Sequence, residues 1–589
     1  MKKHLGLLAI LTLATHCHGR LLELKIHRRA DFADGKSFGK TGAYEIVEGV
    51  ARFEVDPNHR RNSAVILLKD APRNRRGKVE FTSDVFILTP KTRSRGNGAL
   101  LYDVNNRGNK LAIRFFNDAP GTNNPTSKEH AGNGFLFRHG YTVVWCGWIG
   151  ELLSGNDRML MKPPIATSKG KPIRGIVRYE MVTDAPAKSL PLSRREGHGS
   201  YPPTKKGEAT GKLTWRMHEK GKRVLIPRGQ WSLERKPIAK RNKGVSGTLG
   251  QIRMRLSGGF RPGYIYELVC ESEGPIVQGL GFVATRDLIS FLRYDHSKMN
   301  PCLTKKGSSA IKRTHGFGVC QSGRFLRHFV SEGFNVDEKD RRVFPGLIPH
   351  VAGGGLGFFN HRFAQPTRHN GQHEEHLFPA DVFPFTYGME SDPFTKRKDG
   401  ILRRLQSEDE KYLPKIMHTQ SAAEYWHRSG SLVHTDPMGK RDVSIPDNVR
   451  VYAFGGTQHG PEPRPPTRGV ADHRANPADY RPFLRGLLQT LDTWVKDETT
   501  PPASVYPTIK SGTLVDWSQK STGFPHLPGV RYPQVIQQPD WTYFGERFLK
   551  EKIITVDPPE IRGTYRVLVP RSDRDGNDVG TLLVPEVSV

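Results

Sequence analysis

Between residues 280 and 500, short apolar runs alternate with segments whose apolar residues recur at helical spacing, and few architectures accept that order. Ala284, Leu288, Phe291 and Leu292 fall on one helical face, and Phe325, Leu326, Phe329 and Val330 on another. Leu484, Leu487, Leu488, Leu491 and Val495 mark a third helix, which Pro501-Pro502 stops. The run at 314–320 reads as a short strand, and those at 346–351, 415–419 and 449–454 as further candidate strands. Strand and helix in turn imply a mostly parallel sheet with helices on both faces, an α/β fold.

Upstream, residues 21–91 read as strands with short turns. The runs at 44–53, 63–69 and 79–88 are rich in β-branched and aromatic residues, and 99–104 and 142–145 are shorter buried runs. From 151 to 262 the composition shifts to Lys, Arg, Gly and Pro, with strand-like pieces at 175–182, 212–217, 231–235 and 252–256. That stretch reads as a β-rich insertion. The expected organisation is a leader over 1–19, N-terminal strands of the sheet over 20–150, the insertion over 151–262, the core over 263–502 and a C-terminal extension over 503–589. With 36% hydrophobic and 9% aromatic residues, the chain has the composition of a folded protein.

Lys2, Lys3 and His4 precede the apolar run from Leu5 to Ala14, and Cys17-His18-Gly19 offers small residues for cleavage after Gly19. This run is too short for a bilayer, which needs about twenty residues. The expectation is an exported protein, periplasmic or secreted, without an integral membrane span; lipid attachment at Cys17 is the alternative. Cys146, Cys270, Cys302 and Cys320 would remain, too few for a disulfide framework and without CxxC spacing. Cys146 reads as a buried strand residue, and a Cys270–Cys302 bridge stays open. The net charge of +31 raises the question of nucleic acid or another polyanion. Lys and Arg are interleaved with acids, and no helix-turn-helix, zinc-finger or RNA-recognition signature is present. A basic solvated surface is expected, with attraction of anionic substrates as the alternative, and no specific nucleic-acid partner.

Chemistry converges on Gly318-Val319-Cys320-Gln321-Ser322. A strand that turns sharply into a helix can lift one side chain above the sheet, provided the residues two before and two after it are small. Cys320 satisfies this with Gly318 and Ser322 as elbow support; Ser322 does not, because Cys320 and Arg324 would occupy its crowded positions. The helix that follows also lowers a thiol's pKa. His459, in the Gly455–Gly460 loop past a strand, is the expected base. Glu424, after the run at 415–419, is the first choice of orienting acid, with Asp392 and then Asp436 as alternatives. An oxyanion hole would use the Gln321 N–H and one from the loop Asn105-Asn106-Arg107-Gly108-Asn109, where Gly108 would let the backbone approach a substrate. His373-Glu-Glu-His376 has its histidines three apart rather than four, so with His361 and His369 it reads as a solvated loop rather than a zinc site. No metal and no cofactor are expected.

Several stretches carry a resemblance: Arg73-Asn-Arg-Arg-Gly77, Tyr102-Asp-Val-Asn-Asn-Arg-Gly-Asn-Lys110, Gly140-Tyr-Thr-Val-Val-Trp145, Gln321-Ser-Gly-Arg-Phe-Leu-Arg327, Glu424-Tyr-Trp426, Gly456-Thr-Gln-His-Gly460 and Gly512-Thr-Leu-Val515. The chain resembles, over nearly its whole length, a bacterial family of large alpha/beta hydrolase domain proteins similar to serine-type esterases. The resemblance implies the α/β-hydrolase fold with N- and C-terminal extensions. The family elbow usually reads Gly-x-Ser-Gln-Ser-Gly-Arg, so its first serine falls on Cys320; dienelactone hydrolases use cysteine on this fold. The chain stops at Val589, soon after Leu583-Val-Pro-Glu586, where relatives often continue. A shortened end could leave the last strand or a pocket wall incomplete. The expectation is a hydrolase of carboxylic esters, lactones or thioesters, acting on a small-molecule or carbohydrate ester, possibly anionic, through a Cys-His-acid triad and an acyl-enzyme. The alternative is a non-catalytic relative that binds anionic carbohydrate or another polyanion.

Overall fold

The computed structural model describes residues 20–235, 249–368, 374–461, 465–469 and 471–584. The expected leader with Cys17, His369, His373 and Glu586 lie outside the described residues.

A single large sheet organises the molecule. Its main path runs through β1 (Arg20–Asp31), β2 (Gly42–Val55), β3 (Val79–Pro90), β4 (Ala99–Val104), β5 (Thr142–Cys146), β6 (Arg313–Val319), β7 (Gly346–His350), β8 (Lys415–Ser421), β9 (Val449–Gly455) and β10 (Leu582–Leu583), with two short strands, Ser37–Phe38 and Met161–Lys162, paired beside it. Their spatial order is β1-β2-β3-β5-β4-β6-β7-β8-β9-β10. The first three pair antiparallel and β3 pairs antiparallel with β5; from β5 to β10 every pairing is parallel. Alternate residues of a strand face opposite sides. Leu100, Tyr102 and Val104 of β4 thus enter one apolar cluster, and Ala99 and Leu101 the other.

Helices cover both faces. α1 (Ala112–Asn117) and α5 (Arg481–Asp497) lie on one side, where Phe116, Leu484, Leu488 and Leu491 are buried. α2 (Leu280–Tyr294) and α3 (Gln321–Ser331) lie on the other, with Leu288, Phe325 and Phe329 inside. α4 (Ala422–His427) follows β8 directly. This is the α/β architecture that the alternation of runs predicts.

Two expectations are corrected here. Residues 63–69 form turns rather than a strand: both edges of β2 are already paired, and the Asn360 side chain accepts from Ile66 N and donates to Ala64 O in place of a ladder. The insertion holds two small sheets, 174–181/265–273/212–216/224–226 and 187–191/252–260/231–235. The strand Ile265–Glu273, central in the first, extends past the boundary expected at 262. Its residues alternate poorly in polarity, which hid it. Cys146 is buried at the end of β5, and Cys270 and Cys302 are both buried and free, so no bridge joins them. Among the described residues, no helix is long and apolar enough to cross a membrane.

Candidate active site

β6 ends and α3 begins with a single residue between them, and that residue is Cys320. Its backbone sits at φ 61° and ψ −117°, a region that side chains rarely occupy. The Cys320 N–H donates to His350 O at 2.9 Å, which fixes the turn against β7. A Cβ on Gly318 would overlap the Ser322 carbonyl, so glycine is obligatory there. Ser322 is fully buried, and its hydroxyl donates to Asn105 O at 3.1 Å. The Cys320 thiol, by contrast, is half-buried. Gln321 occupies the first position of α3, where a backbone N–H has no partner within the helix; its side-chain amide donates to Pro366 O.

The loop after β9 carries His459. Thr457 Oγ1 donates to Phe454 O at 2.7 Å, Tyr480 Oη donates to His459 O at 2.9 Å, and Gly456 N donates to Asp578 Oδ2 at 2.9 Å. Held in this way, His459 Nδ1 lies 2.5 Å from Glu424 Oε1, while its ring also hydrogen-bonds the Cys320 thiol. Glu424 is fully buried in the first turn of α4, where Ser421 N donates to its Oε2 at 2.8 Å. One oxygen therefore caps the helix while the other orients the imidazole.

Electrostatics follow from this contact. Burial alone would raise the Cys320 pKa, but the imidazolium of His459, with Arg428 and Arg107 beyond it, brings it down to about 6. Burial alone would lower that of His459, but the thiolate and Glu424 raise it to about 10. Burial would likewise raise Glu424, yet His459 and Ser421 draw it down to about 2. Near neutral pH the group is a thiolate, an imidazolium and a carboxylate in a row.

The loop after β4 lies beside the elbow. Asn106 Nδ2 donates to Val319 O at 2.9 Å, and Arg107 takes a left-handed φ of 51°. Gly108 follows at a φ of 83°. Its N–H donates to Asn105 Oδ1 at 3.1 Å, and a Cβ there would press on Arg158 Cβ at 2.7 Å. The space a side chain would need at Gly108 is thus taken by the 152–159 loop. The Asn106 N–H is also committed, to Asn109 O at 2.9 Å.

The alternative acids lie elsewhere. Asp392 is buried and accepts from Tyr565 Oη at 3.1 Å and from Thr395, while Asp436 accepts from Lys440 N and Arg441 N in its own turn. Glu375 and His376 are buried, with His376 Nδ1 3.0 Å from Glu180 Oε1, so the solvated loop expected there is corrected: it packs on the insertion. No group of three metal-ligating side chains occurs among the described residues. Asp578 and Tyr480, which hold the histidine loop, gave no local signal, since neither lies in a motif. Arg428 has a place in sequence just after α4 that could have marked it.

A mostly parallel sheet carrying a strained strand-to-helix turn, with an acid and then a histidine delivered from later strand ends, defines an α/β-hydrolase. Residues 256–589 match the alpha/beta hydrolase domain family, and the chain belongs to that family. No curated protein and no solved structure matches it.

Proposed function

We propose that the protein hydrolyses carboxylic esters, lactones or thioesters through Cys320, His459 and Glu424. The observation that supports this best is the imidazole held between the thiol and a buried carboxylate. In this reading the Cys320 thiolate attacks the carbonyl carbon and a C–S bond forms. The Gln321 N–H and the Arg107 edge of the neighbouring loop face the developing oxyanion. As the C–O bond breaks, His459 gives its proton to the leaving alkoxide. Water, deprotonated by the now neutral His459, then cleaves the thioester, releasing the carboxylic acid and returning the thiolate–imidazolium pair. Glu424 keeps the imidazole in the required tautomer and orientation.

The test is turnover of para-nitrophenyl acetate by two variants. Cys320→Ala is expected to abolish it. Ser322→Ala removes one buried hydrogen bond, a loss of about 1 kcal/mol in stability, and is expected to retain most of the activity. Retained activity in the first, or its loss in a folded form of the second, overturns the assignment.

A further inference from the structure

Beside the elbow loop lies an open cleft of about 460 Å³, within the roughly 300–1,000 Å³ of small-molecule sites. It begins at Asn106, whose amide holds the carbonyl of the residue before Cys320. Arg114 on its wall donates to Pro461 O at 3.4 Å, two residues past His459. The cleft thus borders the elbow at one lining residue and the end of the histidine loop at another.

Its chemistry is unusual for an esterase wall. Side-chain amides line it at Asn106, Asn109, Asn123, Asn124 and Asn156, and Leu111 supplies its apolar contact. The inner amides are locked to one another: Asn123 Nδ2 donates to Asn109 Oδ1 at 2.9 Å and to Asn156 O at 2.7 Å, and Asn109 Nδ2 donates to Asn106 O at 2.9 Å. Lys110 is buried beneath, its ammonium bonded to Asn123 O and 4.6 Å from the Phe86 ring. The floor is therefore rigid. The outer amides are exposed: Asn124 accepts from Arg28 at 3.0 Å through its oxygen alone, and the Asn156 side-chain amide bonds no group among the described residues. Asn156 presents both a donor and an acceptor and Asn124 a free donor, which matches a hydroxyl-rich ligand. An alkyl chain would strip water from these amides and return no hydrogen bond.

We propose that this cleft binds the alcohol side of the substrate and that this alcohol is a sugar or related polyol. The inference rests on the hydrolase reading above, but the binding it asserts does not require turnover. The experiment has two arms. In the first, wild type and the Asn124→Leu/Asn156→Leu double variant are compared on a mono-acetylated methyl glucoside and on para-nitrophenyl octanoate. Loss of two hydrogen bonds is expected to shift the kcat/KM ratio toward the octanoate by about tenfold. An unchanged ratio, or a wild type that prefers the octanoate, overturns the proposal. In the second arm, ligand-observed NMR follows methyl glucoside with the wild type and the double variant, both residues being exposed and tolerant of substitution. Broadening by the wild type that the variant loses supports the cleft; no broadening by the wild type overturns it. A protein that binds the glucoside yet cleaves neither ester would defeat the hydrolase reading and leave the polyol site standing.

Discussion

A serine in the position of Cys320 would meet the same histidine as a neutral hydroxyl, whereas the thiol meets it as a thiolate. With the thiol at about 6 and the imidazole at about 10, the charge pair exists before any substrate arrives. The expected pH profile follows. Below about 6 the thiol regains its proton and nucleophilicity falls; above about 10 the imidazolium loses the proton that the leaving group needs. kcat/KM for para-nitrophenyl acetate should rise through the first value and decline through the second. In Cys320→Ser the acidic limb should move to the titration of the imidazole. A wild-type limb that does not respond to this substitution would refute the charge pair. At this scale the sequence was informative because the elbow is a steric rule: Gly318 and the exclusion of Ser322 could be read from spacing alone. The contact of Gly108 with Arg158 was not legible, because the two are distant in sequence and a glycine that makes room for a side chain looks the same as one that makes room for a ligand.

Among the elements, α4 spans only six residues, and its Glu424 carboxylate is shared between the helix cap and the His459 imidazole. Ser421→Ala removes the reciprocal cap and should cost about 1 kcal/mol in thermal unfolding, with a small change in kcat. Glu424→Gln keeps an acceptor for the cap but supports the imidazole poorly, so kcat should fall by about two orders of magnitude with little change in Tm. Equal effects of the two variants on kcat would argue against a separate role for the second oxygen. Several elements were legible because burial on both faces leaves an apolar run, as in β4 and β5. The turns at 63–69 carried the same kind of run without a free sheet edge to pair with. The strand at 265–273 has an interior of Glu267 and Cys270 beside Leu268, an unusual mixture explained by the buried Arg178 and Arg216 that Glu267 faces.

Over the whole molecule, the positive charge is not only a solvated coat. Arg178, Arg216, Arg286, Arg324, Arg327 and Arg368 are all buried. Arg178 joins the insertion to the C-terminal segment through Glu267 at 2.8 Å and Asp557 at 2.6 Å, and Arg324 meets Asp381 at 2.9 Å. Composition could not reveal this, because an arginine's partner is a matter of tertiary placement. The C-terminal segment also reaches the site. β10 pairs with β9, and Asp578 holds Gly456 at the root of the histidine loop. Asp578→Ala should lower kcat by about tenfold and stability by about 1–2 kcal/mol, while Asp578→Asn, which keeps the acceptor, should restore both. Activity unaltered in the alanine variant would show that the loop holds its shape without it. The bond between Gly456 and Asp578 spans 122 residues. The root of the histidine loop thus takes its fixed point from a residue far downstream, so the placement of the imidazole depends on the C-terminal segment being docked on the sheet.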